Sequence, residues 1–84
     1  MDKLARVLDF PKEIVLDLPK VTLIGNMQAL IENHRGVIEY STDRIRISIN
    51  SGEIEITGKD MSICNISRDE IHLDGSIGLI KYHC

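Results

Sequence analysis

The sequence predicts an all-β fold, an antiparallel meander of about eight short strands that forms a sandwich, a roll or a small barrel. Fourteen of the 84 residues are isoleucine, and β-branched side chains favour strands. From Gly36 to Tyr82, apolar residues alternate with polar ones between turn residues, which is typical of half-buried strands. A sheet with one apolar face must cover it, either by curling into one of these forms or by packing against a second copy.

The length predicts one domain. We expect a single antiparallel β domain over residues 13–84, preceded by an arm or a short helix at residues 1–12. Leu4, Val7 and Leu8 lie at helical spacing, and Pro11 would end a helix there. A chain of this size has a small core, so a homo-oligomer is also possible.

Two features are expected before the alternating run. Gly25-Asn26 is a two-residue hairpin signal, since both residues tolerate positive φ; it would pair Ile24 with Met27 and Thr22 with Ala29. The polar segment Glu32–Gly36 ends in glycine and predicts a longer turn.

Three consecutive hairpins are then predicted, and all three place isoleucines on one face. The expected pairs are Tyr40 with Ile45 and Ile38 with Ile47; across Ser51-Gly52, Ile49 with Ile54 and Ile47 with Ile56; and across Gly58-Lys59, Ile56 with Met61 and Ile54 with Ile63. The side chains on the opposite face are then polar: Arg46, Ser48, Glu55 and Thr57.

The last third of the chain changes phase, which predicts a β-bulge near residues 63–65. A turn at Ser67–Glu70 pairs Ile66 with Ile71, and a turn at residues 74–76 leads into a last strand, whose register stays open. Turns that recur about every nine residues would also suit a β-solenoid, but the matched hairpin registers favour antiparallel pairing.

Charge and composition exclude several classes of protein. A net charge of -3 and few aromatic residues argue against nucleic-acid binding. Two cysteines make no disulfide framework and favour a reducing compartment. We find neither an apolar run of transmembrane length nor a signal peptide. The expectation is a soluble, unexported, cytoplasmic protein with no direct membrane span.

One segment gathers several reactive side chains: Glu32, Asn33, His34, Arg35 and Gly36. A histidine beside a carboxylate could act as a general base, and an arginine could clamp an anion. Adjacent turn residues seldom point at one atom, however, and no nucleophile is tied to them. We interpret the segment as a polar structural turn or a protein-contact site, and the protein as no enzyme.

Metal and cofactor sites are not indicated. The candidate ligands His72, His83, Cys64 and Cys84 match no known ligand spacing. The glycines form no phosphate-binding loop. We therefore expect no metal, no cofactor and no catalytic residue; a small-ligand or metal-binding protein remains the alternative hypothesis.

Four stretches together resemble a known family: Leu18 to Asn26, Ile31 to Ile38, Arg44 to Ile47 and Gly52 to Lys59. With Gly75-Ser76-Ile77, they are similar to the YabP/YqfC family of sporulation proteins, and to its YqfC branch in particular. The resemblance covers roughly residues 9–82. Its most specific parts are Pro-x-x-x-Leu-x-Gly-Asn and Glu-Asn-His-Arg-Gly.

The resemblance implies a small, non-enzymatic protein that is made in the mother cell of an endospore-forming bacterium and needed for spore maturation. Genes of this family neighbour those of membrane proteins, YqfD for the YqfC branch, which implies an adaptor at the outer forespore membrane. It supplies no catalytic residue. The expected partners are a membrane protein of the YqfD type and a second copy of the chain.

Overall fold

The computed structural model describes residues 16–84, which contain six strands and no helix. The strands are β1 (Lys20–Ile24), β2 (Gln28–Glu32), β3 (Gly36–Tyr40), β4 (Arg44–Ile49), β5 (Gly52–Ile66) and β6 (Glu70–His83). They form one sheet in the order β1-β2-β6-β5-β4-β3, with β1 and β3 as its outer strands. Every pairing is antiparallel, so the solenoid alternative is wrong. The expected arm at residues 1–12 lies outside the described residues.

Six strands replace the expected eight in this part of the chain, because β5 and β6 are long. The predicted turns at Gly58-Lys59 and at residues 74–76 are wrong, since each of these segments lies inside a continuous strand. The β5–β6 register instead shifts between Thr57 and Gly58 and again between Lys59 and Ser62. Such irregularities bend a strand. Gly58 therefore lies at a bend within β5, although the sequence predicted that the chain reverses direction there.

Close backbone approach explains the glycine at the bend. A Cβ at Gly58 would lie 2.0 Å from the carbonyl oxygen of Ser76. Gly75 has a φ of 139°, and a Cβ there would lie 2.6 Å from the Cα of Met61. A side chain fits at neither position.

The bend brings the two ends of the β5–β6 hairpin close together. The backbone N–H of Asn33 donates to Asp69 O, beyond the end of β5, at 2.7 Å. Two residues on, the N–H of Arg35 donates to Ser48 O in β4, also at 2.7 Å. One half of the sheet (β3, β4 and the adjoining parts of β5 and β6) therefore folds over the other half (β1, β2 and the remaining parts).

Both halves contribute to one core. The buried apolar residues form a single cluster: Ala29, Ile31, Ile45, Ile47, Ile54, Ile56, Met61, Ile71, Leu73 and Ile77. Burying each isoleucine stabilises the fold by about 1.5 to 3 kcal/mol. The expected inward face of isoleucines is confirmed for β4 and for the first part of β5, where four of them have no exposed surface.

Several predicted pairings are confirmed. Tyr40 lies opposite Ile45, and Ile66 lies opposite Ile71 across the predicted turn. The expected bulge is present between Ile63 and Asn65. The last strand, whose register the sequence left open, places Ile80 opposite Ile56.

Other pairings differ from expectation. A bulge in β3 places Val37 opposite Ile47 and leaves Ile38, the expected partner, 49% exposed. The β4–β5 turn closes at Ile49 and Gly52, so that Ile47 pairs with Ile54 and Ile45 with Ile56. This register differs from the predicted one by two residues, which preserves the face because the side-chain period is two.

The first hairpin has a longer loop than predicted. Ile24 pairs with Gln28 and Leu23 with Ala29, so three residues form the loop where two were expected. Gly25 has the positive φ, 55°. A change of one residue in the register moves side chains to the opposite face of the sheet. Leu23 therefore lies opposite the buried Ala29, a position that the sequence assigned to Thr22.

Candidate functional site

The predicted contact segment is a turn between β2 and β3, two strands that do not pair with each other. It faces the turn between β5 and β6 across a shallow, polar cleft of about 520 Å³. The lining residues are Asn33, His34, Arg35, Gly36, Ser67, Arg68 and Asp69. The structure thus brings four of the five predicted residues to one cleft, together with a second turn that follows some 30 residues later in the chain.

His34 holds the two turns together. It is 7% exposed and is the one buried polar side chain in the described residues. Its Nδ1 accepts the backbone N–H of Gly36 at 2.9 Å, so the proton lies on Nε2, which donates to Ser67 O at 3.1 Å. A neutral imidazole therefore uses both nitrogens in structural hydrogen bonds, and neither is directed at a substrate.

Asn33 fixes the chain that leads into β1. It adopts a left-handed conformation with a φ of 64°, which asparagine tolerates better than most residues. Its Nδ2 donates to Asp17 Oδ1 at 3.1 Å and to Leu18 O at 3.0 Å. One side chain thereby links the β2–β3 turn to the segment before β1.

Arg35 also links the β2–β3 turn to the segment before β1, through an exposed ion pair. Its Nη2 donates to Asp17 Oδ2 at 2.6 Å, with both side chains about half exposed. The hydrogen bond from Asn33, assisted by the charge and hydrogen bond of Arg35, holds the pKa of Asp17 below its ordinary value. Asp17 is therefore the common acceptor for both residues of the turn.

The remaining members of the segment are less involved. Glu32 is the last residue of β2 and lies opposite Lys20 and Glu70; it does not line the cleft, and the hydrogen bonds of His34 go elsewhere. Gly36 has a φ of 123° and starts β3. The suggested general base beside a carboxylate is therefore not assembled.

Sequence reasoning missed Asp17 and Ser67 as partners of the turn. Asp17 accepts from side chains 16 and 18 residues away, and Ser67 is 33 residues from His34. No local pattern marks either residue, since both act only after the sheet has folded.

Three of the four candidate metal ligands each contact a different carboxylate. His72 Nε2 lies 3.4 Å from Glu70 Oε1, and His83 Nε2 lies 2.8 Å from Glu55 Oε1. Cys64 belongs to a different pair, with Asp74. Within residues 16–84, no three His, Cys, Asp or Glu side chains form a group that could hold a metal ion.

A second groove of about 270 Å³ lies on the outer face of β1, β2 and β6. Ile24 and Leu30 form an apolar wall of the groove, while Cys64 and Asp74 line it with polar atoms. The Cys64 thiol donates to Asp74 Oδ2 at 2.7 Å. This hydrogen bond, together with partial burial and the nearby negative charge, raises the pKa of Cys64 above its ordinary value, so the thiol is a weaker nucleophile than an ordinary cysteine.

The polar face of β4 and β5 carries a charge network. Arg46 donates from Nε and Nη2 to both carboxylate oxygens of Glu53 at 2.6 and 2.7 Å, and it also reaches Glu39. Arg44 contacts Glu55 at 2.9 Å. The hydrogen bonds from Arg46 lower the pKa of Glu53. Because cations and carboxylates alternate, this face offers no surface of a single charge.

No part of the described chain, residues 16–84, forms a helix of the length and apolarity that a membrane span requires.

Comparisons with known proteins agree with the sequence resemblance. The model of the YabP family matches residues 17–84. The chain is 37% identical over 79 residues to the uncharacterized protein YqfC of Bacillus subtilis (strain 168), an alignment that covers 94% of this chain and 85% of that protein. No solved structure matches. The chain therefore belongs to the YabP/YqfC family, on its YqfC branch.

Proposed function

We propose that this protein is a non-catalytic adaptor in spore maturation, made in the mother cell and acting at the outer forespore membrane through protein contacts. Membership of the YabP/YqfC family supports a sporulation role. The observation that carries the contact role is the cleft between the two turns, whose inner polar groups bond to each other and whose rim is exposed.

A rigid rim suits recognition because little conformational freedom is lost when a partner binds. His34 and Asn33 fix the backbone of the turn from below. Arg35 and Arg68 are exposed at the rim, and Asp69 lies beside them. Arginine is favoured at protein interfaces because its planar guanidinium donates several hydrogen bonds at once. We therefore assign the contact to this rim.

The same geometry argues against catalysis. The one buried imidazole of the described residues has both nitrogens engaged, and the hydroxyl of Ser67, on the facing turn, bonds to the backbone of Glu70. A general base needs a free nitrogen within hydrogen-bond reach of the proton it removes.

The proposed partner is a membrane protein of the YqfD type. The test is co-purification of the full chain with that protein from sporulating cells. Arg68→Ala should reduce the amount recovered without changing the melting temperature, because the Arg68 side chain is exposed.

Two further variants act as controls. Lys59→Ala removes an exposed cation that lies at the bend, outside the cleft lining, and should leave recovery unchanged. His34→Ala should lower the melting temperature because it leaves Ser67 O and the N–H of Gly36 without their partner. If Arg68→Ala and Lys59→Ala are recovered equally, the rim is not the contact surface.

A small-ligand function is the second candidate, and the groove beside Cys64 and Asp74 is the observation that favours it. Its volume of about 270 Å³ lies just below the range of about 300 to 1,000 Å³ that is typical of small-molecule pockets, so a small ligand would fit. A thermal-shift screen, with elemental analysis for metals, tests this function. A ligand that stabilises the wild type but not Leu30→Arg would support it.

A further inference from the structure

We propose that the exposed edge of β6 after Ile77 pairs with the same edge of a second copy, joining two sheets into one continuous antiparallel sheet. β2 pairs with β6 only from Glu70 to Asp74. The loop of the first hairpin covers the next part, where Met27 O and Asn26 O accept the N–H groups of Gly75 and Ile77. Within residues 16–84, nothing pairs with this side of β6 beyond that point.

The uncovered segment is suited to strand addition. From Leu79 to His83 it pairs with β5 on its other side without a register shift. Alternate backbone N–H and C=O groups of such a strand point away from its partner, and they are satisfied by adding another strand. The occupant that fits this edge is therefore an extended segment and not a helix or a small molecule.

The edge is complementary to itself. If Ile80 lies on a two-fold axis, antiparallel pairing places Leu79 opposite the second copy's Lys81, and the reverse. No two like charges are then directly opposite, and Lys81 is already neighboured by Glu55 on β5. Apolar side chains flank the axis, since Leu79 is 53% and Tyr82 55% exposed. The two-fold (C2) symmetry of such a pair is the commonest symmetry of protein homo-oligomers.

The other edges are protected. β1 starts directly after Pro19 and begins with Lys20, two residue types that discourage edge pairing. β3 is only five residues long and contains the bulge at Ile38. On the last part of β5, the N–H of Ile63 donates to the Tyr40 hydroxyl at 3.1 Å, which occupies that edge. From Leu79 to His83, beyond the register shift at Gly78, the edge of β6 is as short as β3 but has no proline and no bulge, and Lys81 is its one lysine.

Leu79 allows a test that changes only the sign of a charge. Leu79→Lys and Leu79→Glu remove the same exposed side chain, but the first places a cation opposite the second copy's Lys81 and the second places an anion there. Sedimentation equilibrium of the full chain with reductant present, which keeps Cys64 and Cys84 from linking copies, measures the dimer dissociation constant.

We expect the wild type to dimerise and Leu79→Lys to dissociate about fivefold to thirtyfold more readily than Leu79→Glu, because the symmetric dimer contains the pair twice. Thr57→Lys and Thr57→Glu are the matched controls. Thr57 lies opposite Leu79 on the same face but one strand inward, and its two variants should differ little.

Three results would overturn the proposal: a wild-type monomer at all concentrations, equal dissociation constants for Leu79→Lys and Leu79→Glu, or a difference at Thr57 as large as at Leu79. Circular dichroism melts of the four variants establish that each is folded. Binding of a membrane protein at the rim of the cleft is measured separately, by co-purification. A negative result in that experiment leaves the dimer dissociation constants, and the conclusion drawn from them, unchanged.

Discussion

Replacing Ile47 and Ile38 separately by alanine tests the bulge in β3, which decides which isoleucine enters the core. Ile47 is 0% exposed, whereas Ile38 is 49% exposed. Truncation to alanine removes three carbons, worth about 0.8 kcal/mol each when fully buried, and a cavity penalty adds to that loss. We expect Ile47→Ala to lower the free energy of unfolding by about 3 to 4 kcal/mol, and Ile38→Ala by about 1 kcal/mol.

Urea denaturation followed by far-ultraviolet circular dichroism measures both values, since the chain has no tryptophan for fluorescence. A domain of this size has a total stability of about 4 to 12 kcal/mol, so Ile47→Val, with an expected loss of about 1 kcal/mol, extends the series if the alanine variant is unfolded. Equal losses for Ile38→Ala and Ile47→Ala would refute the bulge and restore the direct pairing of these two residues.

Three other perturbations test the bend, the turn link and the thiol. Gly58→Ala should lower the unfolding free energy by more than about 2 kcal/mol in the same urea assay, because its Cβ would lie 2.0 Å from Ser76 O. Asp17→Asn should lower the melting temperature at neutral pH. Because the folded pKa of Asp17 is lowered, its stabilisation is complete above the unfolded pKa near 4 and is lost as the pH falls through the folded pKa. The difference from wild type should therefore shrink as the pH falls below about 4. Asp74→Asn should speed alkylation of Cys64 at pH 8, because the hydrogen bond and charge that raise its pKa are removed.

Each of these perturbations has a control. Gly78→Ala places its Cβ 3.3 Å from Thr57 O, so it should cost less than Gly58→Ala; the reverse order would contradict the bend. A melting-temperature difference for Asp17→Asn that is constant with pH would show that its carboxylate charge is irrelevant. The alkylation is followed in a Cys84→Ser background, and an unchanged rate in Asp74→Asn would mean that the thiol is not held by that carboxylate.

Local pattern was enough to predict antiparallel β-structure and most of the core face, although not the number of strands. Tyr40 and Ile45 are separated by a short polar turn, so their pairing depends only on nearby residues. Alternation then assigns Ile45, Ile47, Ile54 and Ile56 to one face, and all four are buried. An error of two residues in the β4–β5 register left that assignment intact.

Bulges and bends were the features that local pattern could not distinguish from regular strands and turns. Ile38 has the alternation of an inward residue, but the bulge turns it outward. Gly58 and Gly75 are typical turn residues, yet they lie inside strands because the two backbones must approach closely there. That requirement arises only when the sheet folds over, and sequence spacing does not reveal it.

The polar turn between β2 and β3 was predicted from the sequence, but the hydrogen bonds that its side chains form were not. The sequence places His34 between two polar neighbours, which suggests an exposed side chain. The burial of His34 follows from the β5–β6 turn, whose Ser67 O accepts a hydrogen bond from the imidazole Nε2. Its use in protein contacts stays a prediction, which the co-purification experiment addresses.

The placement of β6 between β2 and β5 has a consequence for how the protein is synthesised and folded. β2 can pair on its inner side only with β6, and Ile31 lies opposite Ile71, forty residues later. A ribosome-bound chain that ends before β6 therefore lacks the strand that joins the first hairpin to the meander. Contacts of such sequence separation slow folding, and the domain should acquire its structure only after nearly all of the chain has emerged, in a single cooperative step without a stable partial product.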